Sequence, residues 1–251
     1  MSSPPFPLAD RIALVTGATR GIGRASALAL AGAGALVVAV GRTQGALEEL
    51  DDEIRAAGGL RPTLVPMDLA DGDGVDRLGG ELFQRHGRLD VLVHAAAMLG
   101  GLWPMAHLDP KLWDRLVAAN LTAAYRLIRS TEPLLRQSPA GRALFLTCEA
   151  ASAPKAFWGA FAATKAGMEA MVRSWADEIE HTGVRAALID PGPMRTRLRA
   201  QAFPGEDREA LADPAEIGPM IVALAGAPCL GLPTGALRFC DWRDEAKPAS
   251  A

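Results

Sequence analysis

Short runs of apolar residues recur along the whole chain, with polar side chains gathered between them. The runs fall at 11–16, 35–40, 61–66, 89–94, 142–147 and 184–189, with a short seventh at 235–239. Each is nearly continuous in apolar character rather than alternating. That is the pattern of strands buried on both faces, as in a parallel sheet covered by helices. The stretches between the runs carry apolar residues at helical spacing. Right-handed crossovers through such helices wind the sheet doubly. The pattern predicts an α/β chain with about seven parallel strands and helices on both faces. It reads as one domain over 1–251, frayed at 1–9 and 243–251. Long helices are expected near 111–136 and 157–181. Leu112, Leu116, Leu127, Leu134, Phe157, Met168, Met171 and Trp175 form apolar stripes on them, which belong first to a core.

Composition narrows the class. Of 251 residues, 49% are hydrophobic and 22% charged, which excludes disorder along most of the chain. A net charge of −3 leaves no basic excess for a nucleic-acid partner. The longest uncharged run, 25–40, is interrupted at Gly32-Ala33-Gly34 and reads as helix, turn and strand, not as a membrane span. The first residues lack the apolar core of a secretory signal, so a cytoplasmic location is expected. Cys148, Cys229 and Cys240 form no CxxC pair and read as free thiols. His86, His94, His107 and His181 fall in no metal-ligand spacing, so no metal site is expected.

The candidate chemistry begins after the first strand, at Thr16-Gly17-Ala18-Thr19-Arg20-Gly21-Ile22-Gly23. A helix opens there. A pyrophosphate at a helix N-terminus is held by unpaired backbone N–H groups and by the helix dipole. Glycines are needed where backbone must approach phosphate. The spacing Gly-x-x-x-Gly-x-Gly, placed between a strand and a helix, predicts a dinucleotide cradle.

This segment resembles the cofactor signature of the short-chain dehydrogenase/reductase family, and the resemblance extends over roughly residues 8–240. It implies a single Rossmann-type domain that binds a nicotinamide dinucleotide. Asp68 and Leu69 in Met67-Asp68-Leu69 stand where the family contacts the adenine. Asn120 and Lys165 stand at the family's active-site asparagine and lysine. Asp190-Pro191-Gly192-Pro193-Met194-Arg195-Thr196 is similar to the segment that closes over the nicotinamide. The second strand ends in Gly41-Arg42 rather than an acidic residue. Arg42 and Arg20 then face the 2′-phosphate of NADP(H), which favours NADP(H) over NAD(H). The plainer reading of both is solvated surface arginine.

The active-site pattern departs from the family. The family's Tyr-x-x-x-Lys is here Phe161-Ala-Ala-Thr-Lys165, and the serine thirteen residues earlier is Cys148. The one tyrosine, Tyr125, has Arg129 four positions on, so no register restores the pair. Phe161 has no proton to give. A thiol is a poor donor, so Cys148 is either a small buried cysteine or a reactive thiol. Glu149 is either a substitute acid or an exposed carboxylate. Lys165 holds the nicotinamide ribose or lies on a helix surface, and Asn120 serves the site or caps a helix. After the fourth strand, His94-Ala95-Ala96-Ala97 replaces the usual Asn-Ala-Gly. Ala95 removes a bracing amide and Ala97 adds a methyl beside the cofactor. The segment 202–207 is a substrate flap or an inert loop.

Losing the general acid costs about 10²–10⁴ in rate. The sequence therefore reads as an NADP(H)-binding member of the family with a degenerate catalytic tetrad and little ordinary carbonyl reduction. The alternative is an active NADPH-dependent oxidoreductase with a proton source other than tyrosine, acting on an activated alkene, imine or carbonyl. The resemblance also implies a homodimer or homotetramer, or a hetero-oligomer with an active relative.

Overall fold

In a computed structural model of the chain, residues 6–226 and 236–245 are described. Seven parallel strands form one sheet in the order β3-β2-β1-β4-β5-β6-β7. They are β1 (Ile12–Thr16), β2 (Leu36–Gly41), β3 (Thr63–Pro66), β4 (Val91–His94), β5 (Arg142–Leu146), β6 (Arg185–Asp190) and β7 (Ala236–Arg238). The helices are α1 (Gly21–Gly32), α2 (Gln44–Ala56), α3 (Gly72–His86), α4 (Pro110–Val117), α5 (Ala123–Leu135), α6 (Gly159–Glu178), α7 (Arg197–Ala202), α8 (Gly218–Gly226) and α9 (Phe239–Glu245).

Alternation along each strand divides the core. Ala13, Val15, Val91 and Val93 face one side, where α1, α2 and α8 supply Leu30, Leu47 and Ile221. Leu14, Leu92 and Phe145 face the other, against Val75 of α3, Leu127 of α5 and Val172 of α6. Both faces are covered, and accordingly the strands are apolar between their terminal residues. The strand order reverses between β1 and β4, and in such sheets ligands bind beyond the carboxyl ends of the strands at that point.

The seven expected strands are all present, with shifted bounds. The third starts at Thr63, two residues late, because Arg61 turns out toward Asp51, 3.7 Å away. The fourth starts at Val91, because the Asp90 carboxylate caps the sheet end by accepting from Ile12 N–H and Ser138 O–H. The helix expected over 111–136 is present without a break in helical backbone from Pro110 to Leu135, but it carries a π turn at Ala118–Thr122 between α4 and α5. The helix expected over 157–181 is shorter, and Phe157 leaves its stripe for an exposed position with φ +73°.

Parts of the expected frayed ends belong to the fold. Leu8 is fully buried and its N–H bonds the Ala33 carbonyl, while residues up to Glu245 continue α9. Cys229 and Gly235 lie outside the described residues. Cys148 and Cys240 are free thiols. Among the described residues no helix is long and apolar enough to cross a membrane, and no cluster of His, Cys, Asp or Glu could hold a metal ion.

Candidate functional site

A cleft of about 810 Å³ opens at the reversal point, above the carboxyl ends of β1 and β4. Its floor is the glycine loop. Gly17 and Gly21 have φ of +69° and +55°, and a Cβ at Gly17 would come within 2.9 Å of the Ala96 backbone. Only glycine suits that approach. Arg20 enters α1 in extended conformation, and its side chain forms no cap. No acidic residue occupies the first turn of α1. Helix starts normally engage side-chain oxygens. Here the amides of a twelve-residue helix are offered to the cleft with none, an arrangement that suits an anion.

One end of the cleft is basic. Arg20, Arg42 and Arg197 all line it. Arg20 is held below the usual arginine range by burial, and further by the charges of Arg197 and Arg42. Asp68 stands 3.9 Å from Arg42 and accepts the Ala70 N–H. Leu69 closes the wall beneath them.

The other end is apolar. Phe161, on the first turn of α6, packs with Leu99 and Ala202 in a small buried cluster. Its ring meets Trp158 edge-on at 6.0 Å, and Trp158 leans over Phe203 at 5.7 Å. Cys148 joins this cluster half-buried. Burial pushes its thiol up, against the opposing pull of the Lys165 charge. Lys165, one turn beyond Phe161, is not a surface lysine. It is buried and donates from Nζ to the Leu146 carbonyl at 2.8 Å. Burial lowers its pKa, while Cys148 and Glu169 oppose that shift.

The β4 end is braced from a distance. Asn120, in the π turn, accepts the Met98 N–H at 2.8 Å and donates to the Met98 carbonyl and the Thr164 hydroxyl. Its amide is therefore spent on the loop that follows β4, and it is not the cap of α5. Ala95, Ala96 and Ala97 line the cleft. Ala97 is not among the positive-φ residues, so its methyl imposes no backbone strain.

Pro191, Gly192 and Thr196 form the facing wall. Asp190 fixes that turn by accepting the Gly192 N–H, and burial raises its pKa. The Thr196 hydroxyl caps α7 by accepting the Arg199 N–H. Arg199 lies 3.8 Å over the Phe203 ring and forks onto Glu206 at 2.7 and 2.6 Å. The 202–207 segment is thereby tied to the cleft wall.

All the residues expected at the cofactor line this one cleft: Gly17, Thr19, Arg20, Gly21, Ile22, Gly23, Arg42, Asp68, Leu69, Ala95, Lys165, Pro191, Gly192 and Thr196. Cys148 and Phe161 line it too. Asn120 turns its amide elsewhere. Glu149 is exposed in a 3-10 turn, and Tyr125 is exposed on α5. Sequence reasoning missed Arg197, Leu99 and the pairing of Trp158 with Phe203. The alternation Arg195-Thr-Arg197-Leu-Arg199 was the available signal for the first.

Residues 11–207 match the family model of the short chain dehydrogenases. The chain belongs to the short-chain dehydrogenase family. Among its relatives in that family is the oxidoreductase YciK of Escherichia coli K12, 36% identical over 221 residues that cover 87% of each chain. A short chain dehydrogenase of Shigella flexneri 2a, crystallised in complex with NADP, superposes with a TM-score of 0.89 at 34% identity, covering 94% of this chain and 99% of that one. One from Escherichia coli CFT073, complexed with NADPH, gives 0.89 at 34% identity over 94% and 98%. The seven-stranded parallel sheet is thus this family's Rossmann-type fold.

Proposed function

We propose that this short-chain dehydrogenase binds NADP(H) in the cleft but performs little or no ordinary carbonyl reduction. The amides around Gly21, Ile22 and Gly23 hold the pyrophosphate, and Arg20 and Arg42 take the 2′-phosphate. Asp68 and Leu69 border the adenine. Lys165 holds the nicotinamide ribose, and Pro191, Gly192 and Thr196 close the nicotinamide side beside Ala95. The relatives complexed with NADP and NADPH support this cofactor. Bound there, NADPH would supply a hydride to an acceptor in the apolar end.

The observation that carries the second half of the proposal is Phe161. It fills the position four residues before Lys165 with a buried hydrocarbon ring, packed on Trp158 and Cys148. The groups around it do not replace the missing acid. Cys148 keeps its proton, and Glu149 is exposed outside this cluster. One feature favours the alternative, a working oxidoreductase with another proton source: the Lys165 ammonium is desolvated and therefore more acidic than usual. Trp113 and Tyr125, exposed on α4 and α5, suit the expected homo-oligomer.

The test has two arms. Titration of the purified protein with NADPH, read by nicotinamide fluorescence with NADH as control, is expected to show micromolar or tighter binding that prefers NADPH. Failure of both nucleotides to bind overturns the cofactor assignment. Phe161→Tyr combined with Cys148→Ser is expected to raise reduction of a simple ketone or aldehyde by about 10²-fold or more. Brisk turnover by the unaltered protein would instead support the alternative.

A further inference from the structure

Three arginines alternate at the start of α7, and they are treated differently. Arg195 is held by Glu209 at 2.8 Å and Asp213 at 2.7 Å. Arg199 is held by Glu206 and by the face of Phe203. Arg197, between them, has no carboxylate within ion-pair distance among the described residues, although the chain as a whole is acidic. It lines the cleft, as Arg199 does, but without a carboxylate to hold it.

The packing explains where Arg197 goes. Thr196 sits directly on the glycine loop: a Cβ built on Gly21 would lie 3.3 Å from the Thr196 methyl. The first residue of α7 is thereby set beside Arg20, the last residue before α1. Arg20 also has no ion-pair partner among the described residues, and its pKa is lowered chiefly by burial and further by the charges of Arg197 and Arg42. Three guanidinium groups from three separate elements thus share one mouth. The carboxylate among them is Asp68, 3.9 Å from Arg42. Three guanidinium charges against this one carboxylate leave a net repulsion among them. An anion seated among them turns that repulsion into charge-assisted hydrogen bonds.

We propose that Arg197 is a third determinant of dinucleotide choice, closing over the 2′-phosphate together with Arg20 and Arg42. The inference rests on the NADP(H) reading above and extends it to the α7 wall. Neither the glycine loop nor the end of the second strand encodes this residue. The 2′-phosphate is the group that NAD lacks, so the contribution of Arg197 falls on NADP alone.

The test compares dissociation constants of NADP⁺ and NAD⁺ by isothermal titration calorimetry for the wild type, Arg197→Ala and Arg197→Lys. Arg197→Ala is expected to weaken NADP⁺ about 10-fold or more, the size of one charge-assisted contact, and to leave NAD⁺ within about twofold. Arg197→Lys is expected to fall between. Thermal melting of each variant checks folding, which an exposed side chain leaves unchanged. A wild type that prefers NADP⁺ while Arg197→Ala keeps the same preference overturns this inference alone. So does an equal weakening of both nucleotides. A wild type with no preference for NADP⁺ overturns the cofactor reading and this inference with it.

Discussion

His94 shows what burial does to a single ionisable residue. The ring is fully buried at the end of β4, paired through Nδ1 with the Thr16 hydroxyl at 2.9 Å. Its Nε2 has no hydrogen-bond partner among the described residues, and the ring meets Phe145 in a T-shaped contact at 5.6 Å. Burial, aided by the positive charge of Lys165, pushes its pKa down to about 3. The unfolded chain takes up a proton near pH 6.5 that the folded chain refuses. Stability is therefore complete above pH 6.5 and falls as the pH drops, by up to about 1.4 kcal/mol per pH unit, until the folded-state value near 3. Between pH 6.5 and 5 the expected loss from this residue is about 2 kcal/mol. Urea unfolding at the two pH values measures it, and His94→Asn should flatten the difference. An unchanged slope in the variant would show that the histidine is not its source.

At the scale of elements, the departures from expectation concentrate where long-range contacts override local pattern. The glycine loop was legible because a phosphate cradle imposes its demands on consecutive residues. Phe161, Cys148 and Lys165 were legible because the resemblance fixes their spacing, two of them one helix turn apart on α6 and the third two residues beyond β5. Leu99, Trp158 and the two ends of α7, Arg197 and Phe203, come from three separate parts of the chain and converge only through the fold, so no window of sequence unites all of them. The π turn is a similar case. Leu112, Leu116, Leu127 and Leu134 look like one stripe, yet the π turn between them places Asn120 inward against Met98 and Thr164. A π turn at such a position is commonly tied to function, and here its work is to hold the loop that walls the cleft. Asn120→Ala would leave the Met98 N–H and C=O without their side-chain partners. A loss of about 1–3 kcal/mol in unfolding free energy is expected, measured by urea denaturation at constant pH. A loss under about 0.5 kcal/mol would mean that water replaces the amide at no cost and that the turn does not brace the loop.

Across the whole molecule, the cleft gathers elements that otherwise belong to different cores. The α1 start rests on the cluster that includes α2 and α8, while α6 belongs to the opposite face. Phe161, Leu99 and Ala202 form a third, small cluster that joins α6 to α7. A dinucleotide spanning the cleft would contact all three, so its binding energy would act on the global fold and not on one loop. Ligand at 100 times its dissociation constant stabilises the state that binds it by about 2.7 kcal/mol. For a chain of this size each kcal/mol moves the melting temperature by about 2–4 °C. Thermal melting in saturating NADP⁺ is therefore expected to shift upward by about 5–10 °C as one cooperative transition. NAD⁺ at the same concentration should give a smaller shift, because it lacks the phosphate that we propose Arg20, Arg42 and Arg197 to meet. Two separated transitions, with only one moved by NADP⁺, would show that the two faces of the sheet melt independently and that the cleft does not couple them.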